Sequence, residues 1–100
     1  MTKRELYDIL EQRILLCDGA TGSLLQKAGM PTGVCPEQWI LEHPEAILKV
    51  QRDYVEAGSD ILYAPTFGCN RIKLKEYGLE DQIVYMNREL VALAKQAADG

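Results

Sequence analysis

Apolar positions recur along this chain with two different rhythms. Leu6, Ile9 and Leu10 repeat at helical intervals behind Thr2 and Glu5, which stand at capping-box spacing, and predict a short helix from Lys3 to Gln12. Pro44 opens a second helix with Ile47, Val50, Tyr54 and Ala57 on one face and Gly58 as its stop. The longest stripe comprises Ile83, Met86, Leu90, Leu93, Ala94 and Ala97, and predicts a helix from Glu80 to Ala98. Shorter helical stretches are predicted at Ser23–Lys27 and from Arg71 to Tyr77, the latter stopped by Gly78. Gly29, Pro31, Gly33 and Pro36 predict an irregular segment between 28 and 43.

The second rhythm is the short uninterrupted apolar run. Ile14–Cys17 ends abruptly on Asp18-Gly19, and Ile61–Ala64 ends on Pro65, which has no amide proton for a sheet ladder. Their length and flanks predict two buried strands. The order helix, strand, loop, helix, strand, loop, helix then reads as α/β. Specifically, it reads as two βα units with parallel strands, preceded by a short N-terminal helix. Two parallel strands do not sustain a domain alone, so the pattern predicts that residues 1–100 are the N-terminal part of a larger fold. A (β/α)8 barrel, which needs roughly 250 residues, is the parent this reading favours.

Composition narrows the function classes. The net charge is −4, with 11 basic and 15 acidic residues, so no basic footprint for nucleic acid is present. No apolar run approaches the roughly 20 residues of a membrane span, and the charged start "MTKRELYDIL" does not read as a signal peptide, which leaves a cytoplasmic protein as the expectation. Cys17, Cys35 and Cys69 form no C-x-x-C pair, and an odd count argues against a disulfide framework. Cys17 reads as a small core residue, and Cys69, near a strand end, as the thiol placed for access.

Ligands of parallel α/β folds bind beyond the carboxyl ends of the strands, which places the chemistry at Asp18-Gly19 and Thr66-Phe67-Gly68. Asp18 could receive hydrogen bonds from a ligand amine, or equally from loop amides. Gly19 and Gly22 would allow close approach of a small molecule or positive φ. The stretch "DGATG" is G-x-x-G rather than G-x-G-x-x-G, has no lysine at Walker spacing and carries an acid that repels phosphate, so a phosphate loop is disfavoured. His43 before Pro44 reads as a capping or surface group rather than a metal ligand. Trp39 reads as an anchor for the long loop, with substrate stacking as the lesser alternative. Phe67 could wall a pocket or plug the end of a barrel.

Three stretches in order, "LLCDGATGSLLQKAG", "PEQWILEHPEAILKVQRDYVEAGSDIL" and "PTFGCNRIKLKEYGLED", resemble the start of the homocysteine S-methyltransferase domain. The likeness is closest to the homocysteine-binding module that opens its cobalamin-dependent, methionine-forming branch. The resemblance implies a (β/α)8 barrel and methyl transfer to the thiolate of homocysteine. It implies a Zn2+ ion held by three cysteine thiolates, and methylcobalamin on a separate corrinoid-binding module as methyl donor. Betaine or S-methylmethionine replaces the corrinoid in other branches. Asp18 and Gly19 match the family's D-G, and Thr66 and Phe67 its T-F, both against the amino-acid part of homocysteine. Gly68, Asn70 and Arg71 look more like the cobalamin branch than the betaine branch. Pro65 stands where the family often has Asn. The family's zinc ligands lie later in its sequence, so Cys17, Cys35 and Cys69 match none of them, no metal ligand is expected in this chain, and the segment alone is expected to be inactive. Rival readings are a methyltransferase for another thiol or selenol, a non-catalytic binding module, and a phosphate-binding loop.

Overall fold

The Thr2 hydroxyl accepts the Glu5 amide at 3.1 Å and starts α1, Lys3–Gln12, as the capping spacing dictates. This computed structural model describes residues 1–99. None of the α1 residues is buried, so the helix rests on its cap and its own hydrogen bonds rather than on packing. Five further helices follow: α2 Gly22–Lys27, α3 Pro36–Glu42, α4 Pro44–Ala57, α5 Arg71–Lys75 and α6 Ile83–Asp99, the last entered through a 3-10 turn at Glu80–Gln82. Gly58 closes α4 in the left-handed region at φ 113, donating its amide to Val55, which is the stop its position predicts. Asn70 caps α5, its side chain accepting from the Lys73 amide at 2.9 Å.

The α/β reading is overturned. Among the described residues there is no strand and no sheet; the elements are helices, and the chain is not built of βα units. What remains of the two runs is a single parallel bridge between Cys17 and Ile61. Asp18 donates its amide to the Ile61 carbonyl at 2.9 Å, and the Leu16 carbonyl accepts from Ile61 at 3.1 Å and from Asp60 at 2.7 Å. Both segments are extended side by side, but one pair with no flanking partner makes no ladder. Nor are the runs buried as predicted: Ile14 is 84% exposed and Leu16 57%.

The core is helical. α4 and α6 pack against each other, with α3 laid across α6 and α2 against α4. Ile47 of α4 and Leu90 of α6 are wholly buried, together with Leu25 of α2, Ile40 of α3 and Leu74 of α5. Each such side chain contributes about 1.5–3 kcal/mol relative to exposure. The predicted stripes of α4 and α6 are largely these buried faces, although Ala57 is exposed; the stripe of α1 is not buried, with Leu6 and Ile9 half-buried and Leu10 exposed.

α3 was not foreseen. Pro36 reads as a breaker among neighbouring glycines and prolines, yet it occupies the first turn of a helix, the same role as Pro44. His43 is the hinge residue between α3 and α4. Its ring stacks on Trp39 at 4.2 Å with 17° between planes, and Nδ1–H donates to the Trp39 carbonyl at 3.0 Å. Both residues are therefore structural anchors here, Trp39 fastening α3 to the turn into α4.

Candidate functional site

Parallel pairing of Cys17 with Ile61 sends the two extended segments out of the same end, so Asp18-Gly19 and Pro65-Thr66-Phe67 leave in the same direction. Asp18 Oδ1 accepts the Tyr63 amide at 3.2 Å. The protein partner of this carboxylate is thus a backbone amide of the neighbouring extended segment, and Oδ2 lies outside that bond.

Asp60 sits at the opposite end of the pair. Its carboxylate accepts the Leu16 amide at 3.0 Å and the Arg13 guanidinium at 3.1 Å. The Leu16 amide, with Arg13 second, holds the Asp60 carboxyl below its ordinary value of 3.8. The two segments are thus fastened at both ends by aspartates, one of which carries an arginine and one of which does not.

Helix α4 supports both loops from beneath. The Tyr54 hydroxyl donates to the Ala20 carbonyl at 2.7 Å, and the Gln51 amide donates to the Tyr63 carbonyl at 2.9 Å. Gln51 is wholly buried, and its Oε1 has no hydrogen-bond partner among the described residues. Gly19 earns its place through space rather than dihedral angle: a Cβ there would lie 3.1 Å from the Tyr54 hydroxyl, and its φ is not positive. Gly22 merely begins α2 with nothing within 4 Å of a Cβ.

Thr66 is half-buried and Phe67 is 68% exposed, so the Phe67 ring neither plugs a core nor packs into one. Pro65 before them is fully buried. The backbone behind them is tied to two helices. Glu37 of α3, only 6% exposed, accepts the Gly68 amide on Oε2 at 3.3 Å and the Cys35 thiol on Oε1 at 3.6 Å. Asn87 of α6 donates to the Cys69 carbonyl at 2.9 Å and to the Ile83 carbonyl at 2.8 Å.

The cysteines reverse the sequence reading. Cys17 is exposed, whereas Cys35 and Cys69 are buried at 3% and 5%. Burial pushes the Cys35 thiol up from 9.0; the Gln38 amide works against this, and the charge and hydrogen bond of Glu37 add to the rise. Cys69 rises for the same first reason, with Glu37 and Cys35 adding to it.

Sequence reasoning missed Glu37, Gln51, Tyr54 and Asn87. Each sits on a helix, and its role becomes visible only once that helix lies under a loop; a polar residue within an apolar stripe, as Gln51 follows Val50, is the sole local sign. Among the described residues no three His, Cys, Asp or Glu side chains converge to hold a metal ion, and no helix is long and apolar enough to cross a membrane. The groove between α2 and α4, floored by Leu24 and Val50 and walled by Trp39, contains none of Asp18, Gly19, Thr66 or Phe67.

Two short segments thus leave one end of a paired backbone, Asp18-Gly19 from the first and Thr66-Phe67-Gly68 from the second. The family model for homocysteine S-methyltransferase matches residues 15–100, which contain both loops, and the chain belongs to that family. It is 35% identical over 101 residues to the methionine synthase of Mycobacterium tuberculosis (strain ATCC 25618 / H37Rv) and 33% identical over the same length to that of Mycobacterium leprae (strain TN). Each alignment covers 95% of this chain but 8% of the relative, so the chain spans a small part of the curated proteins it matches.

Proposed function

We propose that this segment holds the amino-acid end of homocysteine in an enzyme that methylates the homocysteine sulfur and releases methionine. The observation that carries the reading is the family match across residues 15–100, a span that includes Asp18-Gly19 and Thr66-Phe67 on the two segments leaving one end of the paired backbone. In this reading the Asp18 carboxylate faces the substrate ammonium, Gly19 leaves room for it, and the Thr66 hydroxyl and Phe67 ring line the remaining side. The sulfur loses its proton, forms a new bond to the methyl carbon, and the electron pair of the broken methyl–donor bond stays on the donor.

The resemblance implies a zinc ion to keep the sulfur deprotonated. The side chains of the described residues do not fit such a site, so the role proposed for this segment stops at binding and orientation. Methylcobalamin on a corrinoid-binding module is the donor proposed, supported by the Gly68-Cys69-Asn70-Arg71 pattern.

The test is methionine formation by the protein at its natural length, given homocysteine and, in parallel, methylcobalamin, betaine or S-methylmethionine. Methionine from methylcobalamin alone supports the full reading. Methionine from another donor retains the acceptor and replaces the donor. No methionine with any of them, or faster methylation of a different thiol, overturns it.

A further inference from the structure

Phe67 is 68% exposed, so packing of its own ring does not set where it points. Its position is set by the backbone, and the backbone from 66 to 69 is held at few points. Within the loop, Thr66 donates to the Ala64 carbonyl at 2.8 Å and Cys69 to the Thr66 carbonyl at 3.1 Å. From outside, Asn87 ties the Cys69 carbonyl, and Glu37 ties the Gly68 amide, the residue directly after Phe67.

The Glu37 tie is unusually constrained. The carboxylate is buried, and carboxylates are rarely so unless their oxygens are engaged. Here each oxygen has one partner, the Cys35 thiol at the start of the same helix α3 and the Gly68 amide on the loop across from it. The approach also depends on residue 68 lacking a side chain. A Cβ on Gly68 would stand 3.0 Å from Glu37 Oε1 and 3.4 Å from its Cδ and Oε2, and the φ of Gly68 is not positive, so the glycine is required for closeness rather than for conformation.

We propose that Glu37 is a positioning residue for substrate: by clamping the Gly68 amide it fixes the height and direction at which Thr66 and Phe67 meet the amino-acid part of homocysteine. The proposal rests on the functional reading above. It asks nothing of Glu37 in the methyl transfer itself, and so separates binding from turnover.

Two measurements on the natural-length protein test it. The first is hydrogen exchange of the 66–69 amides. Glu37→Ala should speed exchange there by about tenfold or more, while Glu37→Gln, which retains a carbonyl acceptor for the Gly68 amide, should stay within roughly threefold of the parent. The second is steady-state kinetics. Glu37→Ala should raise the homocysteine KM by about tenfold with kcat within roughly threefold, and Glu37→Gln should restore most of the lost KM. Gly68→Ala is the second route to the same state, because its methyl group displaces the carboxylate. Its KM effect should match that of Glu37→Ala, and the double variant should be no worse than either single one.

A fall in kcat with KM unchanged, failure of Gln to rescue, or unchanged exchange at 66–69 overturns the positioning role. If the parent protein does not methylate homocysteine at all, the functional reading fails instead, and the substrate role of Glu37 falls with it even where the exchange data show the clamp.

Discussion

Asp18 and Tyr63 are joined by one hydrogen bond, the Tyr63 amide donating to Asp18 Oδ1 at 3.2 Å. The acid that the sequence marks as a ligand contact is therefore also a clasp between the two extended segments. A neutral isostere separates these duties. Asp18→Asn keeps an oxygen for the Tyr63 amide but loses the charge offered to a substrate ammonium. It should leave the melting temperature close to that of the parent while raising the homocysteine KM by about tenfold or more, the scale of a lost charge-assisted hydrogen bond. Asp18→Ala should cost both stability and affinity. Kinetics and thermal melts of the two variants check this, and an unchanged KM in both would remove Asp18 from the substrate site.

Gly19 and Tyr54 form a second coupled pair. Gly19→Ala brings a methyl group to 3.1 Å from the Tyr54 hydroxyl, which must shift and stretch its 2.7 Å bond to the Ala20 carbonyl. The substitution should destabilise by about 1 kcal/mol, and by less in a Tyr54→Phe background, where the ring carbons at 3.5 Å are in ordinary contact. Urea unfolding of the four proteins in the cycle measures the coupling; full additivity would show that loop and ring relax independently.

Thiol chemistry should sort the cysteines by burial. Cys17 is exposed, while Cys35 and Cys69 are buried and carry raised pKa values. Iodoacetamide at pH 8 should label Cys17 at least about tenfold faster than the other two in the folded protein, with the difference vanishing in urea. The same shifts carry a pH consequence. A thiol whose pKa rises on folding adds stability below its unfolded value of 9.0, and that stability is lost as pH climbs through the folded value. Unfolding curves should therefore weaken above pH 9.0, and less so in a Cys35→Ala, Cys69→Ala variant compared with its own neutral-pH stability.

Asp60 acts at the acid end. Its carboxyl is held below 3.8 by the Leu16 amide first and Arg13 second, so the ionised form favours the folded state. That contribution is present above 3.8 and is lost as pH falls through the lower, folded value. Asp60→Asn should flatten the acid limb of the stability curve, and Arg13→Ala should shift it by a smaller amount, since the larger cause remains. Acid titration followed by circular dichroism distinguishes these outcomes; equal effects from both variants would make the arginine the dominant partner.

Helices were legible because their signals are local. Thr2, Gly58 and Asn70 act within one turn of the ends they stop or start, and the stripe from Met86 to Ala97 buries the face it spells out. The strands were not legible, because a strand is defined by neighbours. "ILLC" and "ILYA" carry the apolar content of buried strands, and they do lie side by side, yet burial and ladder formation depend on what covers and flanks them, which a four-residue pattern does not encode. α3 failed for the opposite reason: Pro36 signals both an end and a beginning, and its helical role depends on the residues that follow. At the site, Asp18 and Gly19 stood out as an acid and a glycine after an apolar run. Glu37 was indistinguishable from any solvated acid of an irregular segment until α3 formed and Gly68 was brought against it.

Gln51 and Tyr54 lie three residues apart on one helix and reach up to different loops, Gln51 to the carbonyl of Tyr63 and Tyr54 to the carbonyl of Ala20. One helix therefore registers both segments to a common floor, while α3 and α6 fix the far end of the second loop through Gly68 and Cys69, so the spacing between the Asp18 side and the Thr66 side is set jointly by three helices.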